Sequence, residues 1–259
     1  MAELAKQRAL ITGAAEGIGW AIAQVFEREG AELVLLDNNE ELIREKQPLL
    51  PRAEFLRCDV ADLSALERVV LHATSGRRLH TLILNAAVGS YAGTAENLKP
   101  EEWDRVMGVN LKGAWYLAKL LIPHFRAHGG GTIIVINSIH REATYSAHFP
   151  YNVSKGGLTM LVRALALDYG KDGIRALGIA PGWIRTRNNE RFLETVKNKD
   201  RVWEMIRASH PLGRIGEPQE VGELASFIAS PRCPFLNGTT ITLDGGLTAA
   251  LPADISFIS

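Results

Sequence analysis

Tyr151 and Lys155 stand four residues apart in Tyr-Asn-Val-Ser-Lys, at the start of a segment whose pattern predicts a helix over Pro150–Gly170. Residues at that spacing share a helix face, so a phenol and an ammonium point into the same space. A phenol with its usual pKa of ~10 is a poor base at neutral pH. A cation held beside it stabilises the phenolate and makes it a usable acid/base. Of the five tyrosines only Tyr151 has a lysine four residues on; the competing Tyr145 has Phe149 there. Ser138 ends a predicted strand, Gly131–Ser138. In a parallel sheet the carboxyl ends of the strands line the ligand crevice, where this hydroxyl can donate to a reacting oxygen. Asn110 interrupts a helix-rich stretch from Glu101 to His128. Taken singly, each also has a plain structural reading: Tyr-x-x-x-Lys occurs on ordinary helices, serine turns the chain at strand ends, and asparagine caps or kinks helices.

A second constellation is suited to binding. Thr12-Gly13-Ala14-Ala15-Glu16-Gly17-Ile18-Gly19 joins a predicted strand, Arg8–Thr12, to a predicted helix, Gly17–Glu29. Glycine turns sharply and lets a ligand approach the backbone, and a helix N-terminus offers free N–H groups and a positive dipole end to a phosphate. Gly19 should let the helix pack closely on the strand. A glycine turn without a ligand is the alternative, but a strand–turn–helix setting is the context a dinucleotide loop requires. The second predicted strand, Ala31–Leu36, runs into Asp37. Its carboxylate can accept hydrogen bonds from adenosine ribose hydroxyls and would repel a 2′-phosphate; it also fits a helix cap. No Arg or Lys follows at once to neutralise that phosphate.

The glycine spacing Gly-x-x-x-Gly-x-Gly with its preceding Thr resembles the short-chain dehydrogenase/reductase family, and the resemblance recurs along nearly the whole chain. It implies an enzyme that moves a hydride between an alcohol and a carbonyl on a nicotinamide dinucleotide. It implies a catalytic tetrad of Asn110, Ser138, Tyr151 and Lys155, with Asn110 holding a water that links Lys155 to solvent. Glu16 stands where NADP-preferring relatives often carry a basic residue, so together with Asp37 it makes NAD the expected cofactor. The expected cofactor contacts are Gly13, Glu16, Gly17, Ile18, Gly19, Asp37, Asp59, Val60, Asn85, Ala86, Tyr151, Lys155, Pro181, Gly182, Ile184 and Thr186. Asp59-Val60 takes the adenine position, although a solvated strand end reads the same way. Asn85-Ala86-Ala87 departs from the family's Asn-Asn-Ala-Gly, with Leu84 for the first Asn and Ala87 for the Gly. Pro181-Gly182 is in any case a turn signal. The polar stretch Thr186–His210 resembles the family's substrate lid, a surface helix pair being the alternative.

For the substrate, Ser138, His140, Trp183 and Asn188 are the expected contacts, although His140 also fits a surface loop. So many hydrogen-bonding groups suit a polyhydroxylated molecule. Ser138-Ile139-His140, Ser154-Lys155-Gly156-Gly157 and Gly216-Glu217-Pro218 resemble glucose and other aldose 1-dehydrogenases of the family. Two other functions stay open: reduction of a 3-oxoacyl thioester or small ketone, which usually needs the NADPH that Asp37 opposes, and a catalytically silent nucleotide-binding regulator on the same fold.

The elements that must position these residues read as a regular alternation. Strands are expected also at Ala53–Cys58, His80–Leu84, Ile174–Ala180 and Thr239–Leu243, and helices at Asn39–Gln47, Asp62–Thr74, Arg191–Ser209 and Pro218–Ala229. Leu33-Val34-Leu35-Leu36 and Ile133-Ile134-Val135-Ile136 are apolar on both parities, as strands buried on both faces must be. The expected fold is therefore α/β: a single Rossmann-type domain over residues 1–259, a doubly wound parallel sheet of about seven strands with helices on both faces and the lid around 186–210. The chain has 29 basic and 29 acidic residues, which offers no footprint for nucleic acid or an anionic membrane. Two distant cysteines exclude a disulfide framework and make a metal cluster no part of the expectation. With no signal-peptide pattern and no apolar run long enough to span a bilayer, a cytoplasmic enzyme acting on a small molecule is expected. Leu117, Leu120, Leu121, Leu158, Leu161 and Leu165 exceed what one sheet face needs, full burial inside one subunit being the alternative, and the family resemblance implies a homotetramer. The apolar tail from Leu247 to Ser259 extends past the last strand; covering a neighbouring subunit is one reading of it, and its role stays open.

Overall fold

Every strand of the sheet but the last is followed by an α-helix, and the two faces of the sheet fill two separate cores. The computed structural model describes residues 2–89 and 93–249. In chain order the elements are β1 (Arg8–Thr12), α1 (Gly17–Arg28), β2 (Glu32–Asp37), α2 (Glu40–Lys46), β3 (Glu54–Arg57), α3 (Leu63–Thr74), β4 (Thr81–Leu84), α4 (Pro100–Met107), α5 (Ala114–Ala127), β5 (Gly131–Ile136), α6 (Tyr151–Tyr169), β6 (Ile174–Pro181), α7 (Arg187–Glu194), α8 (Lys199–Ala208), α9 (Pro218–Ala229) and β7 (Thr240–Leu243). The strands form one parallel sheet of seven in the order β3-β2-β1-β4-β5-β6-β7. The chain winds outward from β1 in one direction, then crosses to β4 and winds in the other. This reversal opens a crevice between the carboxyl ends of β1 and β4, the place where such sheets bind ligands.

Strand parity accounts for the layers. Leu10, Val34, Leu36, Leu82, Ile133 and Val135 point to one face and pack with Leu66 and Val69 of α3, Leu117 and Leu121 of α5, and Leu158 and Val162 of α6. Ile11, Leu33, Leu35, Ile83 and Ile134 point to the other face and pack with Ile22 and Phe26 of α1 and Val221 and Ala225 of α9. Successive side chains alternate across the sheet, so a central strand needs both parities apolar.

Four sequence expectations need correction. The single helix over Arg191–Ser209 is two, α7 and α8. The Thr186 hydroxyl accepts from the Asn189 N–H and starts α7 earlier, and Asn198 adopts φ +62°, a left-handed conformation that separates the two helices. Strand β5 stops at Ile136 rather than Ser138, because the Asn137 side chain takes the Ser138 N–H out of the ladder and Ser138 caps a short 3₁₀ turn over Ile139–Arg141. The break near Asn110 is one turn of π-helix, Gly108–Gly113, in an otherwise continuous helix. Finally, Leu117, Leu121, Leu158 and Leu165 are buried inside their own subunit, with Leu120 and Leu161 packed at the margin of the same core. The exposed large apolar side chains of α5 and α6 are instead Trp115, Val153, Met160 and Leu167. The expectation for the tail falls largely on residues 250–259, outside the described ones.

Candidate active site

The loop after β1 is shaped by what its glycines exclude. Gly13 has φ +61°, and a Cβ there would meet the Ala86 Cα at 2.9 Å. A Cβ on Gly19 would lie 2.0 Å from the Gly13 carbonyl oxygen and 2.6 Å from Asn85 Nδ2. Gly19 thus clears room for the loop's own carbonyl, a more local role than close packing of helix on strand. Asn85, at the end of β4, locks the turn from below. Its Nδ2 donates to the carbonyls of Thr12 and Gly13, both at 2.9 Å, while the Thr12 hydroxyl accepts from the N–H groups of Asn85 and Ala86. The N-terminus of α1 has no side-chain cap, and Gly17 and Ile18 at its start line a cavity of about 460 Å³. Uncapped N–H groups over an open cavity are able to receive a phosphate.

The far end of this cavity is acidic. Asp37, at the end of β2, accepts from the Ala15 N–H at 2.9 Å and the Asn39 N–H at 3.0 Å. Glu16 lines the same cavity, and its Oε2 is buried with no hydrogen-bond partner among the described residues. Asp59, Val60 and Cys58 complete the wall. Burial, with the nearby Asp59 and Asp62 carboxylates, pushes the Cys58 thiol up to about 11, so it stays protonated at neutral pH. These residues fit a dinucleotide: a glycine cradle that side chains would fill, an uncapped helix end for the diphosphate, and carboxylate oxygens for ribose hydroxyls.

Four polar residues meet where α6 begins. Lys155 is buried, its Nζ donates to the Ile136 carbonyl at 3.0 Å, and it lies 5.3 Å from the centre of the Tyr151 ring. Burial alone lowers its pKa from 10.5 to about 8. It remains mainly an ammonium at neutral pH and yields a proton easily. Asn110 is fully engaged: Oδ1 accepts from the Val88 N–H at 2.8 Å, and Nδ2 donates to the Val88 carbonyl and to Ser154 Oγ. Ser154 in turn donates to the Tyr151 carbonyl. The side chain of Asn110 therefore braces the cavity wall against the first turn of α6, and the π turn that carries it comes close because Gly113 has no Cβ to strike the Val60 carbonyl. Single π turns are frequent at functional sites.

A second cavity, of about 230 Å³, adjoins the first. Its walls include Ser138, His140, Tyr145, His148, Trp183 and Phe192, and Tyr151, Gly89 and Asn189 line both cavities. The described residues that line it carry no carboxylate, ammonium or guanidinium. Desolvation, reinforced by His148 and Lys155, lowers the His140 pKa to about 4, so this imidazole is neutral at physiological pH.

A family model described as enoyl-(acyl carrier protein) reductase matches residues 13–248. The chain belongs to the short-chain dehydrogenase/reductase family. Among curated relatives, oxidoreductase UcpA of Salmonella typhimurium is 35% identical, the match covering 99% of each chain. Among solved structures, ligand-free aldohexose dehydrogenase of Thermoplasma acidophilum superposes with a TM-score of 0.89 at 28% identity, covering 98% of both chains. A candidate NAD(P)-dependent gluconate 5-dehydrogenase from Beutenbergia cavernae, with bound NADP at low occupancy, superposes with a TM-score of 0.88 at 30% identity, covering 96% of this chain and 99% of that one.

Within this short-chain dehydrogenase/reductase frame, the structure brings Gly13, Glu16, Gly17, Ile18, Asp37, Asp59, Val60, Asn85, Ala86, Tyr151 and Thr186 onto one cavity wall. Gly19 and Lys155 lie beneath that wall. Pro181 and Ile184 are buried and line neither cavity, and Gly182 opens on the smaller one. Asn188 faces the larger cavity, not the smaller one expected of a substrate contact, because α7 starts at Arg187 and turns it that way; Asn189 reaches both. Arg105 and Arg187 also line the larger cavity, and His148, Tyr145 and Phe192 the smaller. No local motif marks these five, although the aromatic and imidazole content of Tyr145–Phe149 is a signal that could have been read.

Proposed function

We propose that the protein is an NAD(H)-dependent dehydrogenase that oxidises a CH–OH group of a sugar at its hemiacetal carbon, in the manner of an aldose 1-dehydrogenase. The observation that carries this reading is the pair of joined cavities: a cradle ending in carboxylates and a small uncharged chamber, with Tyr151 in the wall of both. A bound nicotinamide supplies the hydride acceptor. The residues of the chain do the rest. Ser138, capping the turn after β5, donates to the reacting oxygen. Tyr151 takes the hydroxyl proton as the carbonyl forms and returns it in the reverse direction. The Lys155 cation beside its ring favours the phenolate, and Asn110 sets the first turn of α6 and stands on the proton's route from Lys155 to solvent.

Two features support NAD over NADP. Asp37 has its oxygens directed by backbone N–H groups at the cavity end, and Glu16 has a buried oxygen that a hydroxyl can satisfy and a phosphate cannot. The uncharged lining of the smaller cavity supports a neutral polyhydroxylated substrate over a carboxylate or phosphate ester. We also propose a homotetramer, supported by the 44%, 58% and 82% exposure of Trp115, Met160 and Leu167; light scattering reads the mass directly.

The experiment mixes purified protein with NAD or NADP and a panel of aldoses, polyols and secondary alcohols, following the reduced nucleotide by absorbance. Turnover of aldoses with NAD is expected. Tyr151→Phe should keep NADH affinity and lose on the order of 10²-fold in kcat, the usual scale for a missing acid/base. Turnover only of oxoacyl thioesters with NADPH would replace this reading with the reductase, and nucleotide binding without any turnover would replace it with a silent regulator.

A further inference from the structure

Three histidines, His80, His124 and His128, gather at the amino end of the sheet and line neither cavity. Two of these rings accept from the backbone. Strand β4 pairs with β1 from Ala9 and Thr81 onward. One residue earlier the Arg8 N–H donates to His80 Nδ1 at 3.0 Å, while the His80 N–H donates to the Arg8 carbonyl at 2.8 Å. An imidazole nitrogen thus does there the work of a ladder carbonyl. The N–H of Leu79, a buried residue just before β4, donates to His124 Nε2 at 2.9 Å and ties the start of β4 to the last turn of α5.

A backbone N–H only donates, so both accepting nitrogens carry lone pairs. His80 therefore holds its hydrogen on Nε2, and His124 on Nδ1. His128 differs: its Nδ1 faces the His124 carbonyl at 2.8 Å and donates. The charges around the pair oppose a proton on either ring. Arg8 on β1, Arg77 and Arg78 after α3 and His128 at the end of α5 stand on one side, and against them stands Glu32 on β2, which also faces Arg77 at 3.4 Å. Glu54 on β3 is engaged with Arg8 and His72. Burial, with Arg78 nearby, holds the His80 imidazole below its usual value despite Glu32; burial, with His128 and Arg78 nearby, does the same to His124. The carbonyl end of α5 favours a charged His124, but its lone pair is already taken by the Leu79 N–H.

We propose that His80 and His124 form an acid-released clasp: as neutral rings they fasten the start of β4 to β1 and α5, and a proton on either one replaces its acceptor with a donor and expels the N–H it held. The clasp lies at the end of the sheet opposite the nucleotide crevice and acts without any ligand. Between the folded value of each ring and the usual imidazole value of ~6.5, the unfolded chain binds more protons than the folded one. The contribution of the clasp is therefore complete above pH ~6.5 and is lost as pH falls through the window beneath it.

The test compares the full chain with the double variant His80→Asn, His124→Gln. The asparagine Oδ1 and glutamine Oε1 fall near the two accepting nitrogens, accept the same N–H groups and do not titrate. Urea unfolding is followed from about pH 7.5 to about pH 5, a comparison in which the other imidazoles cancel. Over that range the unfolding constant of the wild type should increase on the order of tenfold more than that of the variant, the ceiling for each ring being about 30-fold. Curves that run within about threefold of each other overturn the clasp. A second readout needs no variant. Nitrogen–nitrogen couplings across the two N–H···N bonds, from Arg8 to His80 and from Leu79 to His124, should be present at about pH 7.5 and vanish toward pH 5. Their absence at about pH 7.5, or their persistence once both rings are protonated, overturns the proposal, and this measurement decides alone if the double variant does not fold.

Discussion

Asp37→Asn should turn the nucleotide preference while leaving the glycine loop in place. The amide oxygen can still accept the Ala15 N–H that Asp37 accepts at 2.9 Å, but the amide nitrogen then faces the Asn39 N–H, now held at 3.0 Å by the other carboxylate oxygen. That donor-to-donor contact costs about 1 kcal/mol of loop stability. Toward NADH, a charge-assisted bond to a ribose hydroxyl becomes a neutral one, a loss of about 1 kcal/mol. Toward NADPH, a repulsion disappears. A carboxylate and a phosphate of charge near −2 held ~6 Å apart in a half-exposed site, with an effective dielectric of ~60, repel by about 2 kcal/mol. The two effects sum to about 3 kcal/mol in relative affinity, or roughly 10²-fold. Glu16 remains, so NADPH need not become the better ligand; the ratio is what moves. Fluorescence titrations with both reduced nucleotides, at low and high salt, measure it, and the NADPH part should shrink as salt rises. Parallel weakening of both nucleotides, with the ratio held within about threefold, would show that Asp37 serves only to fasten the loop.

Four further outcomes are expected. Gly19→Ala puts a Cβ 2.0 Å from the Gly13 carbonyl oxygen and should abolish NADH binding and cost about 3 kcal/mol or more in urea unfolding. Gly156→Ala, with nothing within 4 Å of the added Cβ, should stabilise α6 by about 0.5–1 kcal/mol on the same scale. Asn110→Leu strands the Val88 N–H and carbonyl, so it should lose about 2–4 kcal/mol of stability, and NADH affinity should weaken with it because Val88 lines the nucleotide cavity; full stability with only kcat lowered would argue for a purely catalytic asparagine. Lys155, lowered from 10.5 to about 8 by burial, binds fewer protons folded than unfolded between those values. Stability therefore rises with pH across that window by about 3 kcal/mol, and Lys155→Met should flatten the rise in urea titrations run from below pH 8 to above pH 10.5.

Much of the fold could be read because local and global signals agree. The double-parity strands Leu33–Leu36 and Ile133–Ile136 have no use for so many apolar side chains except in a sheet covered on both faces, and the glycine loop lies where strand passes to helix. The pairing of Tyr151 with Lys155 rests on helix periodicity alone, the most local rule available. What could not be read depends on approaches between distant segments. Nothing near Gly19 announces that its missing Cβ makes room for Gly13. Nothing near Asn110 says that its amide will tie Val88 to Ser154. His148 reaches the smaller cavity only because its loop bridges to Gly93. The six leucines of α5 and α6 read as surplus in the sequence because periodicity gives the direction of a face and not the depth of the core beneath it. The division of Arg191–Ser209 into two helices is hidden for a related reason: Asn198 is an unremarkable residue until its backbone turns left-handed.

Tyr151, Gly89 and Asn189 belong to the walls of both cavities, so an occupant of one chamber is furniture for the other. Equilibrium linkage makes that relation mutual: whatever factor a seated nucleotide adds to the alcohol's grip, a seated alcohol must add to the nucleotide's. Dead-end inhibitors shaped like either partner should then tighten their hold by one and the same factor when the other is present, whichever of the two enters first.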